Sequence, residues 1–149
     1  MASFFFIKKK NGKLRPVQDY QPVNSWTIKN RYPLPLIPSL IDRLQDCTLF
    51  TGFNIEWGYN KVLIKLKDCW KVAFITNEGL YEPTVMFFGL TNSPATFQTM
   101  MNTIFQDLIN KGSVTIYMDD IAIHTGTRPG ESDEDHLKRH QQLVRQVLE

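Results

Sequence analysis

The sequence predicts an α+β fold in which an antiparallel sheet carries its helices on one face. Three observations support this. Short β-type runs bounded by turn residues recur along the chain, two stretches place apolar residues at helical spacing, and the order runs strands, helix, strands, helix. With 149 residues, 42% hydrophobic and 12% aromatic, the chain can bury a core, which excludes collagen-like, coiled-coil and disordered classes. No internal repeat, low-complexity tract or Gly/Ser linker divides it.

Residues 4–7 (Phe-Phe-Phe-Ile) form a β-type run, and Asn11-Gly12 is a strong hairpin signal before a return strand over 14–17. Pro16 has no amide donor, which puts the return strand at a sheet edge. Pro33, Pro35 and Pro38 make 32–38 an extended connection, after which Leu40, Ile41 and Leu44 share a face of a short helix. Residues 48–55 and 62–66 read as strands around a turn at Glu56-Trp57-Gly58, and 71–76 with 80–86 flank Asn77-Glu78-Gly79 as a second hairpin. Ser93-Pro94 supplies an N-cap and a first-turn proline, and Gly112 a C-cap. A helix is therefore expected over 94–111 with Phe97, Met100, Met101, Ile104 and Leu108 as its apolar stripe. Apolar strands at 114–117 and 121–123 join through Met118-Asp119-Asp120. Ser132 to Asp135 is a capping box for a last helix with Leu137, Val144, Val147 and Leu148.

Seventeen basic against fifteen acidic residues leave a net charge of +2, but the balance conceals a polarity. Residues 1–31 hold seven basic side chains and one acid, a local +6, which leaves −4 over residues 32–149. Residues 79–106 are uncharged except for Glu82 yet contain Pro83, Gly89 and Pro94, so no membrane span is expected. The start of the chain is unlike a secretory signal, and Cys47 and Cys69 lack CxxC spacing. Free thiols in an intracellular, reducing compartment are the expectation, with a disulfide left open.

Asp119 and Asp120 carry the most chemical content. Two adjacent carboxylates at a tight turn call for a compensating cation, and Mg²⁺ takes hard oxygen ligands of this kind. A solvated Asp-Asp turn is the competing reading for an arbitrary pair. His136 and His140 are four apart, a zinc-compatible spacing, but no Glu follows His136 and no further Cys or His lies nearby in sequence. A solvated helix face is expected for them, and no role for His124.

Tyr117-Met118-Asp119-Asp120, preceded by 88–98 (Phe-Gly-Leu-Thr-Asn-Ser-Pro-Ala-Thr-Phe-Gln) and 14–20 (Leu-Arg-Pro-Val-Gln-Asp-Tyr), resembles reverse transcriptases of gypsy-type LTR retrotransposons, fungal-like in wording. The similarity runs from Phe4 to the end. It implies a right-hand polymerase arrangement in one reverse transcriptase domain, with a partial β-hairpin fingers-like part over about 1–47 and a palm-like part over about 48–149. Thumb, connection and RNase H regions have no counterpart. The implied activity is RNA-directed DNA polymerisation, nucleotidyl transfer from a dNTP to a primer 3′ end with two Mg²⁺ ions, or Mn²⁺.

On this resemblance Asp119 and Asp120 match carboxylates that hold the metal pair, with the Ile55 backbone carbonyl as a further ligand. Lys9 and Arg15 match the grip on the incoming triphosphate, Tyr59 the aromatic gate under the deoxyribose, and Phe88 and Gly89 the loop lining the nucleotide pocket. Tyr117, Met118 and Lys13 match positions that contact primer and template. The implied partners are an RNA or DNA template with primer, dNTP, and the rest of a Pol polyprotein (thumb, RNase H, integrase), with no membrane.

The first palm carboxylate of the family falls at position 54, and here it is Asn54. An amide brings no charge, so weak metal binding and absent or heavily reduced activity are expected. Gln21 stands where arginine is common and Glu56 where a basic residue is. Asp-to-Asn and Arg-to-Gln changes can each arise from one G-to-A substitution, which suggests a decayed transposon copy. The alternative function is a non-catalytic nucleic-acid-binding remnant; a folded remnant without function is a third reading.

Overall fold

The computed structural model describes residues 1–149. The chain folds as two compact units that interleave in sequence, Met1–Arg31 with Trp57–Phe97 and Tyr32–Glu56 with Gln98–Glu149. The compact units therefore do not divide near residue 47, because the N-terminal hairpin takes its third strand from beyond residue 70.

In the first unit β1 (Ala2–Lys8) and β2 (Leu14–Asp19) form an antiparallel hairpin. Gly12 takes the left-handed backbone (φ 81°) that its turn needs, and Asn11 Oδ1 accepts from the Lys13 amide at 3.2 Å. β1 pairs in parallel with β4 (Phe74–Thr76), which pairs antiparallel with β5 (Gly79–Tyr81), giving the order β2-β1-β4-β5. β2 is at the edge, where Pro16 costs no ladder bond. α1 (Gln21–Trp26) follows β2. Ala2, Tyr20 and Val72 make the buried centre; Tyr20 Oη donates to Val72 O at 3.1 Å, and burial pushes the phenol up to about 12.

Residues 62–66 do not form the expected strand. They contribute one bridge, Leu63 to Val85, before a 3-10 segment, Leu66–Val72. Ile64 N donates to Thr84 O at 2.9 Å and Met86 N to Val62 O at 2.8 Å, but beyond Ile64 the chain turns, the Asp68 amide donating back to Lys65 O at 2.7 Å. The second hairpin is also shorter than expected, three residues in each strand, with the 3-10 segment taking in residues 71–72 and Glu82-Pro83 following Tyr81.

In the second unit α2 (Ile37–Asp42) begins within the proline-rich stretch, because Pro38 falls in its first turn, where a missing N–H is harmless. β3 (Leu49–Asn54), β7 (Asp120–Thr125) and β6 (Val114–Tyr117) form an antiparallel sheet in that order. The helix expected over 94–111 is two pieces, α3 (Ser93–Ile104) and α4 (Gln106–Asn110), interrupted at Phe105 (φ −101°) and ended by Gly112 (φ 69°). Phe97 and Met101 are buried, but Ile104 at the break is exposed.

α5 (Asp133–Leu148) is capped by Ser132 Oγ, which accepts from the Asp135 amide at 3.2 Å. Its histidines contradict the expected solvated face, since His136 and His140 are buried. Thr125 Oγ1 contacts His136 Nε2 and His140 Nδ1, each at 2.9 Å, and Thr51 Oγ1 meets His140 Nε2 at 2.9 Å. Hydroxyls from β3 and β7 thus satisfy imidazoles that the helix turns inward. His124 is buried as well, between Thr115 Oγ1 (2.9 Å) and Cys47 Sγ (3.3 Å). Both cysteines are free, and no helix is long and apolar enough to cross a membrane.

Candidate active site

Strand register builds the carboxylate site in the second unit. β7 pairs with β6 so that Tyr117 lies opposite Asp120, and with β3 so that Asn54 lies opposite the same Asp120. Side chains alternate along a strand, so this register puts Asn54 and Asp120 on one face, and a one-residue slip would part them. The turn between β6 and β7 places Met118 in the left-handed region (φ 57°). The Ile55 amide donates to the backbone carbonyl of Asp119 at 2.8 Å and ties the end of β3 to that turn.

Asn54 Nδ2 donates to Asp120 Oδ1 at 2.8 Å and to Asp119 Oδ2 at 3.4 Å. Ionised carboxylates only accept, so the NH₂ end of the amide must be the end that faces them. Asp119 is half-buried, while Asn54 and Asp120 are exposed. Two hard carboxylates suit a divalent cation, but the third position does not fit one: it presents hydrogens where a ligand oxygen is needed and adds no charge. Nowhere does the chain gather three His, Cys, Asp or Glu side chains that could hold a metal.

The nucleotide-binding candidates fall in the first unit. Lys9 and Lys13 close the β1–β2 hairpin, the Lys9 amide donating to Lys13 O at 2.7 Å. Ile7, Lys8, Lys9, Lys10, Asn11 and Arg15 line a groove of about 500 Å³, and none of these cations forms an ion pair. The Arg15 guanidinium lies 5.4 Å from the centre of the Phe88 ring, a cation–π contact. Tyr59 packs edge-on against Phe88 (4.8 Å) and Phe97 (5.3 Å), so Arg15, Phe88 and Tyr59 form one connected cluster. Gly58 permits this packing: a Cβ there would stand 2.8 Å from Phe97 Cζ. Gly89 takes φ 99°, and a Cβ on it would stand 3.3 Å from Gln18 O.

Two residues that sequence reasoning passed over also shape these clusters. Asn24 holds the 89–91 loop at both ends, Nδ2 donating to Gly89 O at 2.7 Å and Oδ1 accepting from the Thr91 amide at 2.8 Å. Gln98 lies on the buried face of α3 beside Phe97 and Met101. A polar residue on an otherwise apolar helix stripe was the available signal for it.

Residues 7–149 match the family described as reverse transcriptase, RNA-dependent DNA polymerase. The chain belongs to this family. Reverse transcriptases work with divalent metal ions. The Transposon Tf2-3 polyprotein of Schizosaccharomyces pombe is 36% identical to this reverse transcriptase domain over 142 residues, 95% of the chain but 10% of the polyprotein. The chain thus spans about a tenth of the length of such relatives. The foamy viral protease-reverse transcriptase in complex with double-stranded DNA shares the fold at TM-score 0.83 and 20% identity, over 98% of this chain and 24% of that one. The foamy viral protease-reverse transcriptase in complex with RNA/DNA hybrid gives 0.79 and 20%, over 99% and 19%. The fold is that of right-hand polymerases.

Proposed function

We propose that this chain is the nucleotide-adding portion of a retrotransposon polyprotein's reverse transcriptase, with its metal site closed by one amide. The observation that carries the reading is the pair of hydrogen bonds from Asn54 Nδ2 to Asp119 and Asp120. An aspartate at position 54 would complete a three-carboxylate cage for two Mg²⁺ or Mn²⁺ ions, with the Ile55 carbonyl beside it. The asparagine instead donates hydrogen to the other two and lowers the attraction for a cation. A missing unit charge at 4 Å forfeits between about 1 kcal/mol (water) and about 4 kcal/mol (effective dielectric 20) of gross attraction to each positive charge, and the exposure of Asn54 and Asp120 puts this site near the lower limit.

The remaining parts support substrate binding. Unpaired cations at the hairpin and Arg15 suit triphosphate and nucleic-acid phosphates, and the Phe88–Tyr59 cluster presents an aromatic surface to a sugar. Tyr117, Met118 and Lys13 are assigned to primer and template. A fingers-like role for the hairpin and a palm-like role for the β3-β7-β6 sheet go with this reading.

Primer extension on an RNA template with Mg²⁺ or Mn²⁺ tests it. The unaltered chain should give no product, and Asn54→Asp should restore extension; efficient extension by the unaltered chain refutes the reading. A second reading, a nucleic-acid-binding remnant, draws on the unpaired basic hairpin alone. It is favoured if neither protein extends but both bind template-primer with steep salt dependence.

A further inference from the structure

We infer that Gln98 is the positioning residue for the carboxylate turn, acting through the Met118 amide. Gln98 is 0% exposed. A buried carboxamide needs partners for its oxygen and its nitrogen, and this one has them: Oε1 accepts from the Met118 amide at 2.8 Å, and Nε2 donates to Ile116 O at 3.3 Å and to Asn102 Oδ1 at 2.9 Å. Asn102 in turn donates to Tyr32 Oη at 2.8 Å, so the carboxamide is held from both ends.

Met118 is a non-glycine residue in the left-handed region, a conformation that persists only where the surroundings impose it. It immediately precedes Asp119. Fixing the plane of its peptide therefore fixes the directions in which Asp119 and Asp120 leave the turn. Without the Gln98 oxygen the Met118 N–H loses this 2.8 Å hydrogen bond, and the turn relaxes toward ordinary backbone with the two carboxylates displaced. The inference rests on the proposed function only for its effect on the reaction; the positioning itself stands on the turn geometry.

Amide hydrogen exchange on the full chain compares the unaltered protein with Gln98→Glu and Gln98→Met. Desolvation keeps a buried glutamic acid protonated, so its carbonyl oxygen accepts from Met118 and its hydroxyl donates to Ile116. Methionine matches glutamine in length and has only a weakly accepting sulfur. The Met118 amide should be protected in the unaltered protein, within about threefold of that in Gln98→Glu, and should exchange about tenfold faster or more in Gln98→Met while Ile121 and Ile123 hold their rates. In the Asn54→Asp background, Gln98→Met should slow extension about tenfold at saturating nucleotide, with Gln98→Glu near its parent.

Equal Met118 exchange in all three proteins overturns the inference, as does a glutamate variant as loose as the methionine one. If the methionine variant does not fold, a Met118 amide in the unaltered protein that exchanges at an unstructured peptide's rate also overturns it. Loss of extension by Asn54→Asp with Gln98 intact counts against the proposed function alone, since Met118 exchange still judges Gln98.

Discussion

Replacing Asn54 with aspartate should make the fold depend on a cation that it does not now require. The substitution removes two hydrogen bonds, at 2.8 and 3.4 Å, and sets a third negative charge directly across from Asp120. A like-charge pair at 4 Å costs from about 1 kcal/mol in water to about 4 kcal/mol at an effective dielectric of 20. Asn54 and Asp120 are exposed, so the two new repulsions lie near the lower limit, about 2 kcal/mol together. For a chain of this length that corresponds to a fall in Tm of about 4–8 °C in EDTA. Added Mg²⁺ binds only the folded form and should return about 1.4 kcal/mol when its concentration is ten times its Kd. Differential scanning calorimetry of both proteins in EDTA and across a Mg²⁺ series is the assay. Unaltered protein stabilised by Mg²⁺ as strongly as the variant, or a variant with unchanged Tm in EDTA, would refute the reasoning.

The imidazoles give the pH dependence. Burial, with Arg43 and His140 near His124 and with His136 and Arg139 near His140, holds both histidines below the ordinary 6.5. The unfolded chain therefore takes up protons that the folded form refuses. Stability is full above about pH 6.5 and declines as pH falls below it; a urea midpoint that holds or rises between pH 7 and pH 5 contradicts this. Thr125→Val removes the hydroxyl shared by His136 and His140 and should cost about 1–3 kcal/mol by urea unfolding, with no loss indicating that the contacts carry no energy. Gly58→Ala drives a methyl to 2.8 Å from buried Phe97 and should cost about 1–3 kcal/mol, seen as a lower Tm; an unchanged Tm rules out the clash. Lys9→Ala with Lys13→Ala should reduce the slope of log K against log salt for duplex binding by about 1.8, measured by anisotropy, and an unaltered slope removes the hairpin from the binding surface.

What could be read from the sequence follows the range of the forces involved. Asn11-Gly12, Ser93-Pro94 and Ser132 act on their own neighbours, and each marks an element end that the structure contains. The strand pair around Met118-Asp119-Asp120 was legible for the same reason, and with it the carboxylate turn. Residues 62–66 were misread because the turn that ends their pairing closes from Asp68 onto Lys65, beyond the apolar run itself. His136 and His140 were misread because their partners, Thr51 and Thr125, arrive from strands distant in sequence. The contacts of Asn54 belong to the same class: its identity was visible, but its direction depends on strand register that only the folded sheet supplies.

The central claim is that Asn54 closes a metal site that the neighbouring carboxylates would otherwise form. Titration of Mn²⁺ followed by the EPR signal of the free ion measures this directly. The account predicts binding to Asn54→Asp at least about 30-fold tighter than to the unaltered protein, equivalent to about 2 kcal/mol, and abolished again by Asp120→Asn. Equal Mn²⁺ affinity in the unaltered protein and Asn54→Asp would contradict it.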